Sequence, residues 1–160
     1  MSEVTYQRGL YFEEIEEAFE LETPARTITE TDVVQFAGLS GDYNQLHTDA
    51  EFAQGTLFGA RIAHGLLGLS IASGLTTRSG FIEGTAQAFT GLEWKFRGPI
   101  MIGDTIRVRV RVKKKRAMRR LGGGFVYFDV AILNQRDEVV QKGVWQVLIK
   151  GQDEEGSADE

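Results

Sequence analysis

The sequence has no cysteine, which removes disulfides, thiolate metal sites and cysteine nucleophiles together. Histidine is nearly as scarce, with His47 and His64 the only two. A multi-histidine zinc centre is therefore not expected, and any imidazole chemistry must use one of these two residues. Proline occurs only at Pro24 and Pro99, so glycine supplies most of the punctuation. No apolar run reaches the roughly 20 residues of a membrane-spanning helix, and the longest weakly polar stretch, Ile62 to Leu75, carries His64 and several glycines and serines. The opening residues show neither a basic region ahead of an apolar segment nor a cleavage site, so the cytoplasm is the expected location.

There is also no net charge on most of the chain. The formal charge of -5 is matched by residues 151–160, GQDEEGSADE, which hold five acidic residues and no basic one, leaving residues 1–150 formally neutral. That segment is expected to be a disordered acidic tail. With 160 residues, 42% hydrophobic and 26% charged, the remainder is expected to form one soluble domain over 1–150.

Helices are expected first and strands afterwards. Thr29 followed by Asp32, ahead of Val33, Val34 and Phe36, predicts a capped helix over about 30–37 with Gly38 as its stop. Thr48 is expected to cap a second short helix through Asp49, Ala50, Glu51 and Phe52. The longest helix, AHGLLGLSIASGLTT over about 63–77, is apolar or small on nearly every face and so is expected to be enclosed. The enclosing sheet follows: Ile106, Val108, Val110 and Val112 alternate with arginine, and Val126, Phe128, Val130 and Ile132 repeat the pattern. Val139 to Ile149 makes a third strand after a hairpin connection at 134–138, with Ala88–Phe96 and Phe19–Ile28 as two more. About five antiparallel strands around one central helix is an α+β arrangement, the hot-dog fold. The basic run Lys113-Lys114-Lys115-Arg116 reads as a charged turn, and neither a nucleic-acid nor a membrane partner is expected.

Chemistry concentrates in FAGLSGDYNQLH, residues 36–47, where Asp42 and His47 stand five apart in a glycine-flexed loop just ahead of the long helix. At that spacing they converge only if the loop folds around a common point. A carboxyl and an imidazole sharing one water suit hydration of an α,β-unsaturated thioester, which needs one proton taken from water and one delivered to the α-carbon. The enolate formed on the way needs a donor at the thioester oxygen, and the Gly65 N–H, at the start of the long helix and without a side chain, is the best candidate. His64 is expected to be structural, capping the helix or bonding a nearby carbonyl.

FAGLSGDYNQLHTDAEFA followed by FGARIAHGLLGLSIASGL resembles the signature of MaoC-like dehydratases, the (R)-specific enoyl-CoA hydratases, and Phe96-Arg97-Gly98-Pro99 with Ile102-Gly103-Asp104 resembles that family's strand-entry turn. The resemblance implies a catalytic pair Asp42 and His47, Asn44 as the motif asparagine, Gly65 as the oxyanion contact and Ser73 as a supporting hydroxyl. It also implies a dimer acting on acyl-CoA as substrate, with no cofactor and no metal. Gln45 departs from the pattern, which usually has proline there. Two competing readings are a hot-dog acyl-CoA thioesterase, which would be expected to carry a carboxylate on the central helix where this chain has none, and a non-catalytic acyl-thioester binding or partner subunit.

Overall fold

In the computed structural model, which describes residues 8–152, the elements are β1 (Glu20–Glu22), β2 (Arg26–Thr27), α1 (Glu30–Ser40), α2 (Gln45–Thr48), α3 (Ala50–Gln54), α4 (Gly65–Arg78), β3 (Ala86–Phe96), β4 (Thr105–Met118), β5 (Gly123–Leu133) and β6 (Val139–Lys150). The alternation in sequence decides the sheet. Ile106, Val108 and Val110 of β4 and Val126, Val130 and Ile132 of β5 are buried, while Arg107, Arg109 and Arg111 line the outer face. The strand order is β1-β4-β5-β6-β3, all pairs antiparallel, with β2 on the start of β4.

Against the inner face, α4 buries Leu67, Ile71, Ala72 and Leu75 in one core with Val108, Phe128 and Val147. Gly68 permits this approach, because a Cβ there would lie 2.6 Å from the Gln141 side chain and 2.7 Å from Ile100. One long helix held by an antiparallel sheet is the hot-dog fold, of α+β class. None of the described helices is long and apolar enough to cross a membrane.

Several elements differ from the sequence reading, each for a local reason. Helix α1 runs through Gly38 to Ser40 and stops at Gly41, whose left-handed φ of 75° lets its N–H bond the Ala37 carbonyl at 2.8 Å. Asp49, not Thr48, caps α3 by accepting from the Phe52 N–H, while the Thr48 hydroxyl bonds the Tyr43 and Asn44 carbonyls. The strand expected over Phe19–Ile28 splits into β1 and β2 at Thr23-Pro24, where the Thr23 hydroxyl accepts the Val108 N–H in place of a ladder bond. The lysines expected to turn instead continue β4, because their stems and charges have partners: Lys115 bonds the Ile15 carbonyl and sits over Phe12, and Lys114 sits over Tyr127. The chain turns later, at Arg119–Leu121 and Gly122.

Two further differences concern surfaces. Order extends into the expected tail, since Gly151 is buried with its N–H on the Gly122 carbonyl and the Gln152 N–H bonds Glu13; residues 153–160 lie outside the described residues. Helix α4 is not enclosed all round, for Leu66, Ser70, Ser73, Gly74 and Thr77 form an exposed stripe at helical spacing.

The outer arginines are paired across strands, Arg107 with Glu22 and Asp137, and Arg109 and Arg111 with Glu20. Asp32 closes the capping box of α1, accepting from the Thr29 N–H at 2.8 Å and pairing with Arg26. Burial opposes its ionised form, but the Thr29 hydrogen bonds and the Arg26 charge outweigh this and hold the carboxyl below its ordinary 3.8. The stabilisation is therefore complete above that ordinary value and lost as pH falls through the depressed native one. Asp32→Ala is expected to cost about 1 kcal/mol in urea unfolding at neutral pH, and its deficit should close on acidification.

Candidate active site

The loop after α1 is folded by its own short polar side chains. The Ser40 hydroxyl accepts the Asp42 N–H at 3.1 Å, Asp42 Oδ1 accepts the Asn44 N–H at 3.2 Å, and Asn44 Oδ1 accepts the Leu46 N–H at 2.9 Å as the cap of α2. The single turn of α2 then delivers His47, whose N–H bonds the Asn44 carbonyl. Gln45 is the first residue of that turn, a position where proline is favoured because no N–H is needed and φ is preset. Glutamine forms the same turn and gives up only the preset angle.

Both imidazoles are anchored on main-chain carbonyls. His47, 9% exposed, places Nδ1 2.8 Å from the Ile62 carbonyl oxygen. A carbonyl only accepts, so in the neutral ring Nδ1 carries the proton and Nε2 keeps a lone pair. His64, 2% exposed, places Nε2 2.9 Å from the Asp42 carbonyl oxygen and so donates from Nε2. This is the carbonyl bond that the sequence allowed; His64 is the N-cap residue of α4 but makes no side-chain capping bond. The two rings stack with centroids 3.8 Å apart and planes at 28°.

A carboxylate oxygen of exposed Asp42 and one ring nitrogen of each histidine lie within 4.8 Å of one another. That separation suits one water bridging a carboxylate and an imidazole. The stacking of the two rings is unlike the arrangement around a shared metal ion. Two imidazoles radiating from one ion at about 2.0–2.1 Å hold their rings farther apart than the 3.8 Å stack of His47 and His64.

His47 opens onto a groove of about 750 Å³ with largely apolar walls that include Leu46, Phe58, Leu66 and Phe96, and Gly65 lies in its floor. As the first residue of α4, Gly65 has an N–H with no intrahelical acceptor, at the positive end of the helix dipole. A Cβ at Gly65 would stand 2.7 Å from the Phe96 ring, so only glycine leaves this floor open. Beneath it Gln141, 2% exposed, donates Nε2 to the Gly65 carbonyl at 3.1 Å and accepts the Trp94 indole N–H at 2.9 Å.

Of the residues expected at the site, His47 and Gly65 line the groove, and the Asp42 carboxylate lies beside it, within 4.8 Å of a His47 ring nitrogen. Asn44 is exposed and holds the loop from outside it. Ser73 is exposed two turns along α4, about 12 Å of helix rise from Gly65, and lines a separate cavity with Phe81 and Phe89. Sequence reasoning missed Gln141 and the Ile62 carbonyl. Gln141 left only the trace of one polar side chain in an apolar strand, and a backbone acceptor leaves none.

Comparison with known proteins identifies the family. The chain matches the family described as MaoC like domain over residues 12–127. It is 43% identical over 106 residues to Protein MaoC of Klebsiella aerogenes, covering 66% of this chain but only 31% of that protein. It is 41% identical over 103 residues to the (R)-specific enoyl-CoA hydratase of Rhodospirillum rubrum, covering 64% of this chain and 69% of that one. Among solved structures, a monoamine oxidase regulatory protein from Archaeoglobus superposes with a TM-score of 0.86 at 36% identity, covering 94% of this chain and all of that one. With the family matched across most of the chain and the fold shared along nearly its whole length, the chain belongs to the MaoC-like domain family.

Proposed function

We propose that this chain catalyses the reversible syn addition of water to a trans-2-enoyl-CoA, giving an (R)-3-hydroxyacyl-CoA, in the cytoplasm and within fatty-acyl metabolism. The observation that carries this reading is the convergence of the Asp42 carboxylate and a His47 ring nitrogen within 4.8 Å, at a groove whose floor is a helix N-terminus. The name of the Rhodospirillum relative, an (R)-specific enoyl-CoA hydratase, points the same way.

The hydrogen bonds support one assignment of roles. With Nδ1 donating to Ile62, His47 Nε2 is the base that takes a proton from a water held between it and Asp42. The hydroxide so formed adds to C3, and the displaced electron pair moves to the thioester oxygen, where the Gly65 N–H and the dipole of α4 stabilise the enolate. The proton that His47 took from the water, relayed through the Asp42 carboxylate, is then delivered to C2 from the face on which the water was held, which makes the addition syn and returns both groups to their starting states. Dehydration is the same path reversed. The CoA thioester is the substrate, and no metal or redox cofactor enters this scheme.

The same reading includes a homodimer. Strand β3 is an edge, unpaired on its outer side among the described residues, and it exposes Phe89 (55%), Leu92 (46%) and Phe96 (56%) beside the exposed α4 stripe. Antiparallel pairing of two β3 edges about a two-fold axis would cover these residues. Phe96 also lines the groove and Ser73 faces the start of β3, so the groove and the Ser73 cavity both border this seam.

Purified protein is expected to remove the enoyl-thioester absorbance of crotonyl-CoA and yield the (R)-alcohol on chiral analysis; release of free thiol would favour a thioesterase instead. Asp42→Asn and His47→Gln should each lower kcat by at least about 100-fold in folded protein, and near-normal turnover in either would remove that residue from the mechanism. In sedimentation the protein should run as a dimer and Leu92→Lys as a monomer; an unsubstituted protein that is monomeric at micromolar concentration would contradict the β3 interface.

A further inference from the structure

We infer that His64 is a positioning residue that holds Asp42, His47 and Gly65 in one rigid unit, an inference that rests on the proposed hydratase reading of this site. Three contacts meet on it. Its Nε2–H bonds the Asp42 carbonyl at 2.9 Å, which fixes the backbone from which the carboxylate projects. Its face stacks on His47 at 3.8 Å, which limits tilting of that ring about the Nδ1 bond to Ile62. Its own peptide supplies the N–H of Gly65, so the proposed oxyanion donor is covalently attached to it. Phe36 of α1 packs beside the ring, with centroids 4.9 Å apart and planes at 57°.

Burial alone does not account for an imidazole here. Among the described residues nothing partners its Nδ1, which is fully buried, and an apolar ring would avoid that desolvation. What phenylalanine would lose is the donor at the ε position, and what glutamine would lose is the stacking face. His64 does not touch the reacting atoms in this scheme; it acts through the two groups that do.

The test compares His64→Phe, which keeps a ring without a donor, with His64→Gln, which returns an N–H donor the same number of bonds from Cα. His64→Phe is expected to lower kcat for crotonyl-CoA by about 100-fold with KM changed less than about threefold, the signature of misplaced reacting groups. The backbone amides of residues 42–47 should exchange with solvent at least about tenfold faster in it, with exchange in β4 and β5 unchanged. His64→Gln should recover kcat to within about tenfold of the unsubstituted protein. If His64→Phe does not fold, His64→Asn, whose donor sits at the δ position, takes its place with the same expectations. Unchanged loop exchange, or a His64→Gln protein as slow as the other variant, would overturn the inference. Absence of turnover in the unsubstituted protein would instead defeat the hydratase reading, while the exchange comparison would still decide whether His64 holds the loop.

Discussion

The 2.8 Å hydrogen bond from His47 Nδ1 to the Ile62 carbonyl joins the loop after α1 to the segment that enters α4, and the site depends on that junction. It selects the tautomer with a lone pair at Nε2, and it ties an imidazole to the segment leading into the helix N-terminus that receives charge in the proposed mechanism. The second carbonyl bond, from His64 to Asp42, runs in the opposite direction across the same junction. Loop and helix therefore hold each other, each through a side chain donating to the other's backbone. Two buried imidazoles, each donating to a main-chain carbonyl, are an economical way to immobilise a loop in a chain with no cysteine to cross-link it.

The sheet gives this junction a fixed base. Helix α4 approaches closely because Gly68 leaves room for Ile100 and Gln141, and Gln141 in turn ties the Gly65 carbonyl to Trp94 of β3. The first turn of α4 is thus located by strands β3 and β6 as well as by the loop. Gly65, its first residue, lines a groove whose walls are largely apolar, where a hydrogen bond to developing negative charge is worth more than in water. The long helix serves both as core and as the charged end of the site.

Much of this was legible in the sequence where one residue type has one physical use. The alternation of valine with arginine gave β4 its faces, Thr29 and Asp32 announced the start of α1, and Asp42, His47 and Gly65 were the available groups for acid-base and oxyanion chemistry. What was hidden depended on partners distant in the chain. The lysines after Val112 read as a turn until Ile15, Phe12 and Tyr127 supplied contacts for them. Gly38 read as a stop because its low helical preference is visible and the capping bond at Gly41 is not. The exposed stripe on α4 reads as core because its residues are small or apolar and none is charged, and one chain alone does not cover it.

The most direct measurement is a crystal structure with an (R)-3-hydroxyacyl-CoA bound. The account predicts the 3-hydroxyl oxygen within about 2.6–3.2 Å of both the Asp42 carboxylate and His47 Nε2, with the thioester oxygen on the Gly65 N–H. An acyl group seated in another cavity, or a hydroxyl turned away from His47 Nε2, would contradict it.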